Sequence, residues 1–290
     1  MSKKAAVFCP NPGVDRMYHL QSPLAAGQLF RTERAEIFPG SKGANVALAL
    51  AGKGVPVTVF TFTGGRAGAL SESLLTDRGV TVIGVPTACG VRENTKVVEP
   101  GGRSTEFNEN GGPVSAGEAA ALLSLAGNGT YDALFLCGSL PRGVAEDYYA
   151  AAISAAKARG ALTFLDTSGA ALTKGVAAKP DFIKPNAGEL AALTGEREPQ
   201  TLNAAAVLAE KWQKEHPETG VICTAGKAGA VYVGREGTFV QEALPVPGIH
   251  TTVGAGDNFL AGFAAAILQG AAPEEALTRA AETAARYISE

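Results

Sequence analysis

Short apolar runs alternate along this chain with longer stretches in which apolar residues return every three or four positions. The runs AAVFC (Ala5–Cys9), VPVTVFTF (Val55–Phe62), ALFLC (Ala133–Cys137), ALTFLD (Ala161–Asp166), DFIK (Asp181–Lys184) and GVICT (Gly220–Thr224) are apolar over most of their length, as strands buried on both faces are. Between them the spacing predicts helices over Ala44–Lys53, Ala67–Arg78, Ser115–Ala126, Val144–Arg159, Leu202–Lys214, Ala255–Gln269 and Glu274–Ser289. Strand, helix and strand in turn predict an α/β fold with a mostly parallel central sheet covered on both faces. No linker or repeat divides the pattern, so a single domain over residues 1–290 is expected.

Two segments break the rhythm, Met17–Pro39 and Arg92–Asn110, where polar and apolar residues roughly alternate. VRENTKVVEPGGRSTEFNENGG (Val91–Gly112) reads as a hairpin turning at Pro100–Gly102, with Arg92, Asn94, Lys96 and Asn108 along it.

A chain of 290 residues with 46% hydrophobic and 18% charged content can bury a large core. Its formal net charge of −3 gives no general attraction to nucleic acid or to an anionic membrane, so any anion must be met by local groups. Cys9, Cys89, Cys137 and Cys223 are scattered, without metal spacing or a CxxC pair, which predicts reduced thiols in a cytoplasmic protein. Three of them, Cys9, Cys137 and Cys223, end apolar runs and are expected to be small buried residues near strand ends. The opening MSKKAAVFCPNPG has too short an apolar segment for a signal peptide, and no run approaches membrane-spanning length.

The candidate chemistry lies in TTVGAGDNFLAGF (Thr251–Phe263). Gly254 and Gly256 let several backbone N–H groups point at one spot beside the positive end of a helix, which makes a phosphate cradle. Asp257 next to it is expected to stay ionised and to accept a proton as a general base. Alone, such a string is as well explained by a tight loop and an ordinary helix-start acid. Two further motifs shift the balance. GSKGANVALALAGKG (Gly40–Gly54) sets Lys42 in a second glycine turn and Asn45 on the first helical turn, and KPNAGEL (Lys184–Leu190) places Asn186 and Glu189 on one helix face. Ligands of open parallel sheets sit beyond the carboxyl ends of the strands, and Asn11, Gly138, Lys184 and Thr224 all follow apolar runs. One crevice that positions groups and neutralises charge suits phosphoryl transfer from a nucleoside triphosphate with Mg²⁺.

These residues, with NPGVD (Asn11–Asp15) and GSLPRG (Gly138–Gly143), resemble the ribokinase-like, or PfkB, family of sugar kinases from about Phe8 to about Ala285. The nearest resemblance is to its branch of 1-phosphofructokinases and tagatose-6-phosphate kinases. It implies a ribokinase-like three-layer α/β/α sandwich with a small β-sheet lid, formed by residues 14–39 and 91–112, that covers the sugar and commonly joins a homodimer. It implies ATP and Mg²⁺, with a monovalent cation in addition in some members, and direct transfer with Asp257 as base and the amides of Gly254, Ala255 and Gly256 on the γ-phosphoryl group. Asp15, Gly40, Lys42 and Asn45 match positions that bind sugar hydroxyls, while Lys42, Arg92 and Ser139 would meet a phosphate on the substrate. Lys184, Asn186, Glu189, Thr224, Gly226 and Gly229 match the nucleotide side, with Glu189 acting on Mg²⁺ through water. Taken alone, Arg92 and Lys96 read as solvated lid charges and Asp15 as a turn residue.

Asn94 and Lys96 with Thr105–Asn108 resemble the 1-phosphofructokinases more than the other members of that branch, a resemblance that implies fructose 1-phosphate phosphorylated on its 6-hydroxyl. Tagatose-6-phosphate and 6-phosphofructokinase activities come next, then a ribokinase or nucleoside kinase, since GSKGAN resembles that version of the motif; a non-catalytic sugar-binding module is more distant. The chain departs from the family pattern at Lys227, at Asn258 and in its CPNP opening. It also ends sooner, at Glu290, from which a more open adenine pocket is expected. A nicotinamide-dependent enzyme would need GxGxxG after the first strand, and a Walker NTPase GxxxxGK followed by Ser or Thr; GAGDNF has Phe259 in place of the third glycine, and the second string is absent.

Overall fold

A computed structural model describes residues 3–248 and 251–289. The run Ala5–Cys9 forms β1, buried at every position, and from its end the chain leaves for β2 (Gly13–His19) and β3 (Arg34–Gly40) before returning in α1 (Lys42–Ala51). Next come β4 (Val57–Thr63), α2 (Gly65–Thr76), β5 (Thr81–Pro86), the hairpin β6 (Arg92–Val98) and β7 (Ser104–Asn108), and α3 (Ala116–Asn128). The second half runs β8 (Ala133–Cys137), α4 (Tyr148–Lys157), β9 (Leu162–Asp166), α5 (Gly169–Gly175), β10 (Phe182–Ile183), α6 (Ala187–Thr194), α7 (Leu202–Glu215), β11 (Gly220–Thr224), β12 (Gly229–Gly234), β13 (Gly237–Glu242), α8 (Ala255–Leu268) and α9 (Pro273–Ser289).

Nine strands make one sheet in the order β13-β12-β11-β10-β9-β8-β1-β4-β5, parallel except where β12 and β13 turn back at one edge. Alternation along β1 sends Ala6 and Phe8 into a core under α3 to α7, and Ala5, Val7 and Cys9 into a second core under α1, α8 and α9. This is the three-layer ribokinase-like sandwich. On the second side Phe135, Phe164 and Phe182 stand opposite one another on β8, β9 and β10 and stack with ring centroids 4.7 Å apart at each step. The edge of Phe263, from α8, closes on Phe182 at 5.6 Å. Cys9, Cys137 and Cys223 are buried at strand ends, as expected, and Cys89 is exposed.

The smaller sheet has the order β3-β2-β6-β7, with β2 and β6 parallel and the outer pairs antiparallel. Its registers align Phe38, Asp15, Asn94 and Asn108 in one row and Ile37, Arg16, Thr95 and Phe107 in the next. Neighbouring rows of a pleated sheet face opposite ways, so the first row looks into the molecule and the second away from it. No helix among the described residues is long and apolar enough to cross a membrane.

The sequence pattern did not announce β5, α5 or the β12–β13 hairpin. β5 and β13 are edge strands exposed at alternate or successive positions, and α5 is a helix of seven residues, too short to show a period. Helix α4 starts at Tyr148, with Asp147 at its N-cap, instead of at Val144. α1 starts at Lys42, which Ser41 precedes as N-cap, so that lysine belongs to the helix and not to the turn.

Candidate active site

The chain enters α8 through Gly254, whose φ of 85° is left-handed and costs a glycine little. Among the described residues the amides of Gly254 and Gly256 have no acceptor in the protein, while that of Ala255 is turned to the Thr252 carbonyl at 3.3 Å. Two of the three expected cradle donors therefore stand open and the third is committed. Lys184 reaches this spot: a methyl group added at Gly256 would lie 3.7 Å from its ammonium. From α9, the Tyr287 hydroxyl donates to the Val253 carbonyl at 3.0 Å and braces the loop.

Asp257, two residues into α8, is only 6% exposed. Its Oδ2 accepts a hydrogen bond from Asn45 Nδ2 at 2.7 Å, which ties the first turn of α8 to the first turn of α1. The helix start was expected to keep this acid ionised; burial opposes that charge, though at about 6 its pKa still leaves it mainly ionised at neutral pH. Loss of water, and next the nearby Asp166 carboxylate, push its pKa up to about 6, against the pull of Asn45, Lys42 and Lys184.

Asp166 is the site residue that the sequence reading passed over. It ends β9 with its carboxylate fully buried, 2.8 Å from Lys42 Nζ through Oδ1 and 3.2 Å from Lys184 Nζ through Oδ2. The second oxygen has no hydrogen-bond partner of proper geometry among the described residues. Its sign was available, a carboxylate at the carboxyl end of an apolar run, where the rule for parallel sheets puts ligands. Burial works against the charge of Lys42, yet Asp166 more than offsets it, and Asp257 and Glu189 add to the upward shift. Lysines and carboxylates thus alternate through the centre, with Asp166 between Lys42 and Lys184.

On the nucleotide side, Asn186 and Glu189 form a capping box: Asn186 Oδ1 accepts from the Glu189 amide and Glu189 Oε2 from the Asn186 amide, both at 2.8 Å. Glu189 Oε1 has no protein partner among the described residues. Thr224 bridges to Asn186 across the strand ends, and Gly226 and Gly229 carry the chain round into β12. Lys227 is exposed on that turn.

A cleft of about 940 Å³ opens between the two sheets, lined by Asp15, Phe38, Lys96, Asn45, Asn258 and Tyr287, among others. Asp15 Oδ1 accepts a 2.7 Å hydrogen bond from Asn94 Nδ2, and its Oδ2 lies 2.7 Å from Lys96 Nζ in an ion pair. Gly40 sits so close that a Cβ there would come within 2.0 Å of Asp15 Oδ1. Lys96 is therefore not the solvated lid charge that its sequence context allowed.

The three groups expected around a substrate phosphate make different contacts within the protein. Lys42 belongs to the centre with Asp166. Arg92 donates at 3.3–3.4 Å to the carbonyls of Pro12, Glu109 and Asn11, and Asn11 Nδ2 in turn donates to Ser139 Oγ at 2.9 Å. Arg92 and Ser139 are thus linked through Asn11, at the end of β1.

The sequence matches the pfkB family carbohydrate kinase description over residues 14–290. It is 32% identical to a 1-phosphofructokinase of Haemophilus influenzae, over 91% of this chain and 84% of that one. It is 35% identical to a 1-phosphofructokinase of Rhodobacter capsulatus, over 90% of this chain and 83% of that one. In three dimensions it overlays the phosphofructokinase-2 of Escherichia coli in complex with substrates and products, with a TM-score of 0.91, 26% identity and 99% and 93% of the two chains covered.

Proposed function

The chain belongs to the pfkB family of carbohydrate kinases, phosphotransferases acting on a sugar hydroxyl, and from that premise we propose that it carries the γ-phosphoryl group of ATP to the 6-hydroxyl of fructose 1-phosphate, giving fructose 1,6-bisphosphate. The observation that carries this reading is the meeting of a buried carboxylate, Asp257, with open N–H groups and the Lys184 ammonium at one helix start. The relatives named 1-phosphofructokinase support the choice of sugar.

In this reading Asp257 takes the proton of the attacking hydroxyl, and its raised pKa makes it a stronger acceptor than a free carboxylate. Asn45 holds the acid in place through its 2.7 Å hydrogen bond. The Gly254 and Gly256 amides and Lys184 stabilise charge on the transferred group, and Lys42 balances Asp166 beside them. Asp15 and Gly40 meet the sugar, Arg92 and Ser139 the phosphate it already bears, and Asn186, Thr224, Gly226 and Gly229 the nucleotide. The Glu189 oxygen without a protein partner among the described residues would suit a hydrated Mg²⁺ ion, met through water. When bound, it neutralises nucleotide phosphate charge.

The exposed outer row of the smaller sheet, with Ile37 and Phe107, supports a homodimer through the lid. A coupled ADP-release assay with fructose 1-phosphate, fructose 6-phosphate, tagatose 6-phosphate, ribose and adenosine tests the function. Fructose 1-phosphate is expected to give the highest kcat/KM. A preference for another sugar overturns the substrate, and sugar binding without ADP release overturns the kinase.

A further inference from the structure

Resting on the sugar-kinase reading, we propose that Lys96 is a specificity-determining residue, which with Asp15 forms a ready-made donor–acceptor pair for two adjacent hydroxyls of the sugar. Lys96 stands on β6 opposite Met17, one pleat beyond Asn94 and on the same face, and its Nζ returns to within 2.7 Å of Asp15 Oδ2. Asn94, directly opposite Asp15, donates to the other carboxylate oxygen at 2.7 Å, and its own side-chain oxygen accepts the Glu109 amide at 3.2 Å. Each member of the group is thereby fixed by another. The Lys96 and Asp15 side chains are 10% and 12% exposed, and what exposure they keep is to the cleft that Asn45 also lines.

An ion pair so enclosed is a poor device for stability, because desolvating both charges cancels most of their attraction. Its geometry serves recognition better. Paired by charge with Asp15, the ammonium still has N–H groups to donate, while the carboxylate offers acceptor positions only. A vicinal diol supplies the matching order, one hydroxyl giving its proton to Asp15 and its neighbour accepting from Lys96. A phosphate offers acceptors alone and would be repelled by Asp15, and the pair as a whole carries no net charge to attract it. Lys96 therefore reads the sugar ring, and the substrate's phosphate is left to other groups.

The test compares wild type with Lys96→Met on the preferred sugar phosphate and on its analogues lacking one ring hydroxyl, for fructose 1-phosphate the 3-deoxy and 4-deoxy forms. Lys96→Met is expected to lower kcat/KM for the full sugar by about 10- to 100-fold, mostly through KM, with the KM for ATP held within about twofold. In wild type one deoxy analogue carries a comparable penalty, and in Lys96→Met that penalty collapses, because the site no longer has the donor that the hydroxyl met. A penalty of the same size in both proteins overturns the proposal, as does a Lys96→Met loss that disappears when the phosphate rather than the hydroxyl is removed from the substrate. Should Lys96→Met fail to fold, Lys96→Arg keeps the charge but replaces a point donor with a planar fork, and the same comparison decides. If wild type phosphorylates none of these sugars the kinase reading falls, and calorimetric binding of the same analogues still decides the role of Lys96.

Discussion

Asp257 must be dry enough to want a proton and close enough to a sugar to receive one. At 6% exposure, its high proton affinity is a property of the folded state that the unfolded chain lacks. In the proposed reaction, protonation below pH 6 removes the base, so kcat/KM is expected to rise with pH through about 6, and a flat profile from pH 5 to 8 would point to another base. Asp257→Asn should lower kcat by about 10²- to 10⁴-fold while nucleotide binding persists. The stability effect runs the other way. A carboxyl whose folded pKa lies above its unfolded value favours the fold when protonated, and this contribution is lost as pH rises from the model-compound range through about 6. Asp257→Asn is thus expected to raise the melting temperature at pH 8 and to raise it less at pH 4, as differential scanning calorimetry would read. Of the site residues, those on glycine motifs or next to them, Asp257, Asn45 and Lys42, were legible from sequence because turn chemistry and helix starts leave marks. Asp166 and Lys96 were not, since their roles come from what lies across the fold: two lysines more than a hundred residues and eighteen residues away for one, and the register of β6 on β2 for the other.

At the scale of elements, the strands that could be read from sequence are those buried on both faces, where no polar position interrupts the run. Their stability is concentrated where side chains stack across strands. Phe164, between Phe135 and Phe182, touches aromatic rings on both sides and has no exposed surface. Phe164→Ala leaves a cavity inside that column and is expected to cost about 3–5 kcal/mol, read as a lower urea midpoint. β9 and β10 end beside Asp166 and Lys184, so residual activity in this variant should fall with temperature sooner than in wild type. The edge strands β5 and β13 and the short α5 escaped notice because a half-exposed strand mixes residue types and a two-turn helix has no period to detect. They frame the sheet without supplying any of the groups described above.

For the whole molecule, the chain builds two sheets with a cleft between them, and the residues of the proposed site come from both. Asp15, Gly40 and Lys96 come from the smaller sheet, and Lys42, Asn45, Asp166 and Asp257 from the larger body. The smaller sheet carries apolar residues outward, with Phe107 60% exposed beside Thr95 and in row with Ile37. A second copy covering that face would remove them from water. Size-exclusion chromatography with light scattering is expected to give a dimer for wild type and a monomer for Phe107→Asp, with the folded CD spectrum retained; a wild-type monomer would remove the lid contact from consideration. Neither the α/β layering nor the lid needed the structure to be foreseen, but the parallel pairing of β2 with β6 did, because alternation in a strand says which residues share a face and nothing about which strand lies next to it.

The acid at 257 takes its strength from shelter. Flooded with solvent, it would revert toward an ordinary carboxylate, too feeble to draw hydrogen from an alcohol and still less suited to rouse a stray water molecule. Since that shelter is already built with 6% of the residue exposed, the proposed base keeps its affinity for a proton whether or not carbohydrate fills the gap between the sheets.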